Sequence, residues 1–289
     1  MTTSSPEVRG RFARRRLQGL PVRRLLPSVG LLLVLAIASL LPTTGDAFRL
    51  ANPDKTRADQ LRAVIAALPP DALVLVGFDP DLGTYAEIRT TVRSALVDLM
   101  AHGARLAFIS FTPEGRALAA AELDRLRRQG MGASIGDLGF TAGAEAGLVH
   151  AVTDVVPTDS AGSVVDSIRT RGPGMSAFNL VLVVSGGDLS ARSWIEQVRP
   201  RLPALSLVAI APTFLEPELV PYLRSGQLRG LIATVRDGVS YSEAVPVSTV
   251  APGRPIAPLP MLVGMLLALG VMVGSVLRRV VGPSARGSA

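Results

Sequence analysis

ALVLVGFDPDLGT, residues 72–84, is the stretch on which the fold turns. Residues 72–78 form an unbroken apolar run, the pattern of a strand covered on both faces. The chain turns at Asp79-Pro80-Asp81, and Ile88, Val92, Leu96 and Leu99 then recur at helical spacing over 84–102. Gly103 stops that helix, and 105–110 returns as a second strand. The same unit repeats outward. A helix at 114–129 turns Leu118, Ala121 and Leu126 inward and leaves Glu122, Arg125 and Arg128 solvated. Residues 133–138 read as a third strand, 144–154 and 163–170 as helices, and NLVLVVS (179–185) as the strongest strand. A helix at 189–199 carries Trp194, Ile195 and Val198 on one side. A strand at 205–211, a short helix at 217–225 and a last strand at 228–234 complete the series. Apolar strands alternating with helices predict an α/β fold: a doubly wound, mainly parallel, Rossmann-like sheet of about six strands over 71–245. A lead-in segment, 46–70, holds a short helix that Thr56 and Asp59 can cap, with Leu61, Val64, Ile65 and Leu68 on one face.

Charge separates this domain from its flanks. The chain has 30 Lys and Arg against 23 Asp and Glu, a net +7. Residues 1–24 hold seven Arg and one Glu, and residues 278–289 hold three Arg and no acid, so the tails carry +9. The 20 basic and 22 acidic residues between them leave −2. A nucleic-acid-binding domain shows its basic footprint on the folded part, so nucleic acid is not an expected partner.

Two uncharged stretches adjoin the Arg-rich tails, 21 residues at 25–45 and 23 residues at 255–277. Each is long enough to span a bilayer as a helix, the second over 259–277. Short Arg-rich flanks stay in the cytoplasm. The expected arrangement is therefore a two-pass protein of the cytoplasmic membrane, with both tails (1–24 and 278–289) cytoplasmic and the domain extracytoplasmic. The first stretch also fits a signal peptide cleaved near Gly45-Asp46-Ala47. Residues 246–258 form a Pro-rich stalk. Gly270 and Gly274 make a small-xxx-small face through which second spans could pair into a homo-oligomer.

The absence of Cys excludes disulfides, thiolate metal sites and Cys nucleophiles, and with two His a multi-His metal site is not expected. In open α/β sheets ligands bind beyond the carboxyl ends of the strands. There the sequence places Asp79 and Asp81, Ser110 and Thr112, Gly143 and Gly147, and Ser185-Gly186-Gly187-Asp188. Gly-rich loops that open helices can aim backbone N–H groups at an anion. The plain alternative is turn chemistry, with Asp81 or Thr84 capping the helix at 84–102 and Asp188 capping that at 189–199.

The strand ending in Asp79-Pro80-Asp81, with Ser110 after the next strand and Asp188 after a later one, resembles the haloacid-dehalogenase-like phosphohydrolases. That resemblance implies Asp79 as nucleophile, Asp81 as general acid, and Mg²⁺ held by Asp79, Asp81 and Asp188. The chain departs from the pattern. Its one Lys, Lys55, lies in the lead-in segment, and Arg192 stands where a second acid belongs. VLVGFDPDLGT, GARLAFISFTPEGRALA, GAEAGL and the WIEQV helix together resemble an uncharacterised group of bacterial membrane-anchored envelope proteins. That resemblance implies the architecture and no chemistry. The expected function is a binding or assembly module of the cell envelope, with no cofactor, for an envelope protein partner or a small anionic ligand. The alternative is the Mg²⁺-dependent phosphohydrolase.

Overall fold

The computed structural model describes residues 55–156, 161–187 and 189–245, together with Gly30, Gly264, Leu267 and Gly270. Residues 52–253 form one compact unit. The Arg-rich tails, the rest of the expected spans, the stalk, Gly274 and Asp188 lie outside the described residues. Gly270, which is described, is helical. Among the described residues no helix is long and apolar enough to cross a membrane.

Within residues 55–245 the described residues form six strands, as expected, and eight helices, one more than the sequence pattern predicts. In chain order they are α1 (Thr56–Ala66), β1 (Leu73–Asp79), α2 (Leu82–Ala101), β2 (Arg105–Ser110), α3 (Pro113–Arg128), β3 (Ile135–Phe140), α4 (Glu145–Thr153), α5 (Ser163–Arg171), β4 (Leu180–Ser185), α6 (Ala191–Val198), β5 (Ser206–Ile210), α7 (Glu216–Arg224), β6 (Gly230–Ile232) and α8 (Val235–Ala244). Every strand pair is parallel, and the sheet order is β3-β2-β1-β4-β5-β6. This is the Rossmann order, and its switch point falls between β1 and β4.

Strand alternation builds two cores. Leu73 and Leu75 of β1 face one layer with α4, α5, α6 and α7, while Val74, Val76 and Phe78 face the other with α1, α2, α3 and α8. Every residue of β1 and β4 is buried, as continuous apolar runs require.

Several sequence expectations change. On α3 the inward set is Ala119, Leu123 and Leu126; Leu118 is half-buried and Ala121 is exposed. Glu122, expected in solvent, is buried. It accepts from Arg93 Nη2 at 2.5 Å and from Arg125 Nε at 2.6 Å. Burial alone would raise its carboxyl, but the bonds from the two guanidiniums outweigh burial and hold it below the ordinary value. Asp98 of α2 is also buried. It accepts from the Tyr241 hydroxyl at 2.7 Å.

That contact explains α8, which no apolar stripe announces. Thr234 caps it by accepting from Asp237 N, Tyr241 is fully buried, and Gly238 packs so tightly that a Cβ would lie 2.2 Å from Thr91 Oγ1. At the lead-in helix the capping position is Lys55 and not Thr56, and no side chain caps it. Leu61 and Ile65 of α1 are buried, whereas Val64 and Leu68 stay half-exposed. Arg57 ties the start of α1 to the starts of α7 and α8 through Glu216 (2.6 Å) and Asp237 (3.2 Å).

Candidate functional site

The carboxyl ends of β1 and β4 meet at the switch point, where Asp79 and Ser185 are partners in register. Alternation turns both side chains toward the layer of α4 to α7. Gly77, on that face two residues before Asp79, lies under the indole of Trp194, and a Cβ there would sit 2.1 Å from the ring. Trp194 also packs edge-on against Phe111, with ring centroids 5.6 Å apart. The floor of the site is therefore an aromatic pair resting on a bare stretch of β1.

Asp79 is 1% exposed. Its Oδ1 accepts from Phe111 N (2.7 Å), Thr112 N (2.9 Å) and the Thr112 hydroxyl (3.1 Å). Thr112 caps α3 by accepting from Gly115 N at 3.1 Å. Gly115 brings the first turn of α3 onto the end of β1, where a Cβ would lie 2.4 Å from Phe78 O. A helix start is an anion site because its N–H groups point outward and its dipole is positive there. In this chain the anion at the start of α3 is its own Asp79. Asp79 Oδ2 is buried with no hydrogen-bond partner among the described residues. Burial pushes the carboxyl up to about 6, and the bonds from Phe111 and Thr112 oppose that rise.

Asp81 is the N-cap of α2 and accepts from Thr84 N at 2.7 Å. Thr84 Oγ1 donates to Gly186 O at 3.1 Å and so bonds the β1–α2 loop to the β4–α6 loop across the switch point. Gly186 is needed for that approach, and Gly187 packs closely beside it. A Cβ on Gly186 would meet Thr84 Oγ1 at 2.4 Å, and one on Gly187 would meet Asp79 O at 3.2 Å. Ser185 Oγ accepts from Ala191 N at 2.9 Å and pins the start of α6. Asp188 was the expected cap of this helix, but the helix opens at Ala191 with Ser190 in the capping position.

The remaining residues of the expected site separate. Ser110 is fully buried, and alternation along β2 turns it toward the opposite layer from Asp79; its hydroxyl has no partner among the described residues. Gly143 sits at φ +101°, a conformation glycine adopts freely, in the exposed loop before α4. Gly147 packs against Ala142 O and Phe111 in the first turn of α4. The structure thus joins Asp79 with Thr112, and Asp81 with Thr84 and the 185–187 loop. Gly147 lies beside Phe111, whose backbone N–H donates to Asp79.

For Mg²⁺, the carboxylates offer less than the sequence implied. Asp79 Oδ1 and Asp81 Oδ1 are both engaged by the chain, and Mg²⁺ keeps several of its waters. Asp79 Oδ2 is buried without a partner among the described residues, and Asp188, the third expected ligand, lies outside them. Among the described residues no group of three His, Asp or Glu side chains could hold a metal.

Sequence reasoning missed Gly77, Trp194 and Phe111 as the floor of the site. A glycine inside an otherwise apolar strand was the one available signal, since it marks a close approach by something on that face. No protein-family model matches the chain, and no curated protein matches it. The fold defines the class on its own: an α/β protein with a six-stranded, parallel, Rossmann-like sheet.

Proposed function

We propose that the chain is a membrane-anchored, extracytoplasmic binding module of the cell envelope, and that it meets a protein partner at the carboxyl edge of its sheet. One observation carries the choice of edge. The large apolar side chains exposed among the described residues are Leu82, Phe140, Phe214 and Val235, and all four lie at or just after the carboxyl ends of strands. Exposed apolar groups gathered on one surface mark interaction sites. The polar groups of that edge support the same reading, because Asp79, Asp81, Thr84 and Thr112 hold the loops in place. The anchoring rests on the uncharged stretches and their Arg-rich flanks.

The chain has no Cys, so single cysteines report topology without background. Cysteine placed at the exposed Ala142 is expected to react with a membrane-impermeant maleimide in intact cells. Cysteine at Ser4 or Ser288 is expected to react only after lysis. Labelling of Ser4→Cys in intact cells would overturn the two-pass arrangement.

The phosphohydrolase alternative is tested on the purified full chain with a generic phosphate ester and Mg²⁺. No turnover above a blank is expected. Turnover that disappears in Asp79→Asn would replace the binding-module reading with the enzymatic one.

A further inference from the structure

At the opposite, amino edge of the sheet a cleft of about 550 Å³ opens between α1, α7 and the starts of β4, β5 and β6. Its volume falls within the roughly 300–1,000 Å³ typical of small-molecule sites. Its lining is chemically two-sided. Val64 of α1 and Ala67 and Leu68 just after it form an apolar wall, with Leu223 near the end of α7. Leu61 and Ile65 are buried, while Val64 and Leu68 pack against the core on one side and remain half-exposed on the other.

The other side belongs to the strand starts. Arg229 precedes β6, and its backbone is pinned by donation from its N–H to Leu207 O at 2.8 Å. Its side chain is exposed and has no hydrogen bond or ion pair among the described residues. Asn179 uses its Oδ1 to accept from Leu73 N and Arg171 Nη1, which leaves its amide nitrogen as the free end. The lining includes one cation, Arg229, and no carboxylate.

We propose that this cleft binds a free single-chain amphiphile with an anionic head, such as a fatty carboxylate. The chain lies along Val64, Ala67, Leu68 and Leu223, and the Arg229 guanidinium takes the head. Two properties of the lining select this class. An apolar wall favours an alkyl chain by removing its surface from water. An exposed guanidinium in a lining that holds no acid favours an anion, which it can hold through paired N–H donors. This site is independent of the carboxyl edge and of the partner proposed there.

The test is photolabelling of the full chain in nanodiscs of zwitterionic lipid, with dodecanoate carrying a terminal diazirine. Adducts are expected on the peptide containing Val64 to Leu68 or on that containing Leu223. Unlabelled dodecanoate should compete, and dodecyltrimethylammonium should not. Arg229→Glu should lower labelling about tenfold, the loss of one charge-assisted contact. Arg229→Lys should retain most of it. Because Arg229 is exposed, both variants are expected to melt with the parent, which separates loss of binding from loss of fold. Labelling undiminished in Arg229→Glu, or equal competition by the cationic amphiphile, would overturn the proposal. Equal labelling of the cleft by a diacyl phosphatidic acid probe would overturn it in favour of a bilayer headgroup.

Discussion

Gly77→Ala is expected to destabilise the domain by about 3 kcal/mol, the upper end of what overpacking costs. The new Cβ would lie 2.1 Å from the six-membered ring of Trp194, and the ring has nowhere to go. Trp194 is fully buried and is wedged against Phe111 on one side and β1 on the other. Gly77 itself is a mid-strand residue whose neighbours pair with both β2 and β4, so the backbone cannot retreat. Trp194 is the chain's one Trp, so urea unfolding can be followed by its own emission, with circular dichroism as the second probe. The argument is specific to the pair. In a Trp194→Phe background, which has its own cavity cost, Gly77→Ala should cost at least about 1 kcal/mol less, because contacting residues are not additive. Equal costs in the two backgrounds would show that the indole is not what excludes a side chain at position 77.

Asp79→Asn is expected to remove a pH dependence of similar size. The Asp79 carboxyl is pushed up to about 6 by burial, against about 4 in an unfolded chain. A folded value above the unfolded one means that the folded state holds the proton more tightly. The stabilising contribution is therefore fully present below about pH 4 and is lost as pH rises through about 6. By linkage the loss is roughly 3 kcal/mol by pH 7. Asn keeps an oxygen for the N–H groups of Phe111 and Thr112 but cannot ionise. Its melting temperature should stay level from pH 4 to pH 7 relative to the parent, and at pH 7 it should lie above the parent's. A parent and variant that respond in parallel over that window would show that the buried carboxyl carries no charge penalty. Glu122 contributes with the opposite sign, since its lowered carboxyl stabilises above its unfolded value and loses that contribution as pH falls. The comparison with Asp79→Asn cancels this background.

Both expectations concern a site whose members were partly visible in the sequence. Asp79, Asp81, Thr112 and the 185–187 loop follow apolar strands, and the carboxyl ends of a parallel sheet are where polar loops converge. The capping role of Asp81 was legible as turn chemistry; the role of Asp79 was not. Whether Asp79 holds a metal or accepts from the start of α3 depends on Gly115 lying against β1, a contact between residues 36 positions apart. Whether Glu122 is solvated depends on Arg93 of a neighbouring helix. Helical spacing places Glu122 on a polar arc and says nothing about which partner that arc will meet.

Local pattern alone determined the strands, most of the helices and the α/β class. Those properties depend on the period of apolar residues along the chain, which the sequence carries directly. The same linear reading separates a nearly neutral domain from its Arg-rich tails. Tertiary structure decided the strand order, the existence of α8 and the meaning of the acidic residues. Each of these depends on which distant groups come within hydrogen-bonding or van der Waals reach. Tyr241 finds Asp98 across 143 residues, and Asp79 finds the N–H groups of Phe111 and Thr112. Burial then made these pairings costly to leave unmade, because a buried polar group without a partner loses its water and gains nothing in return.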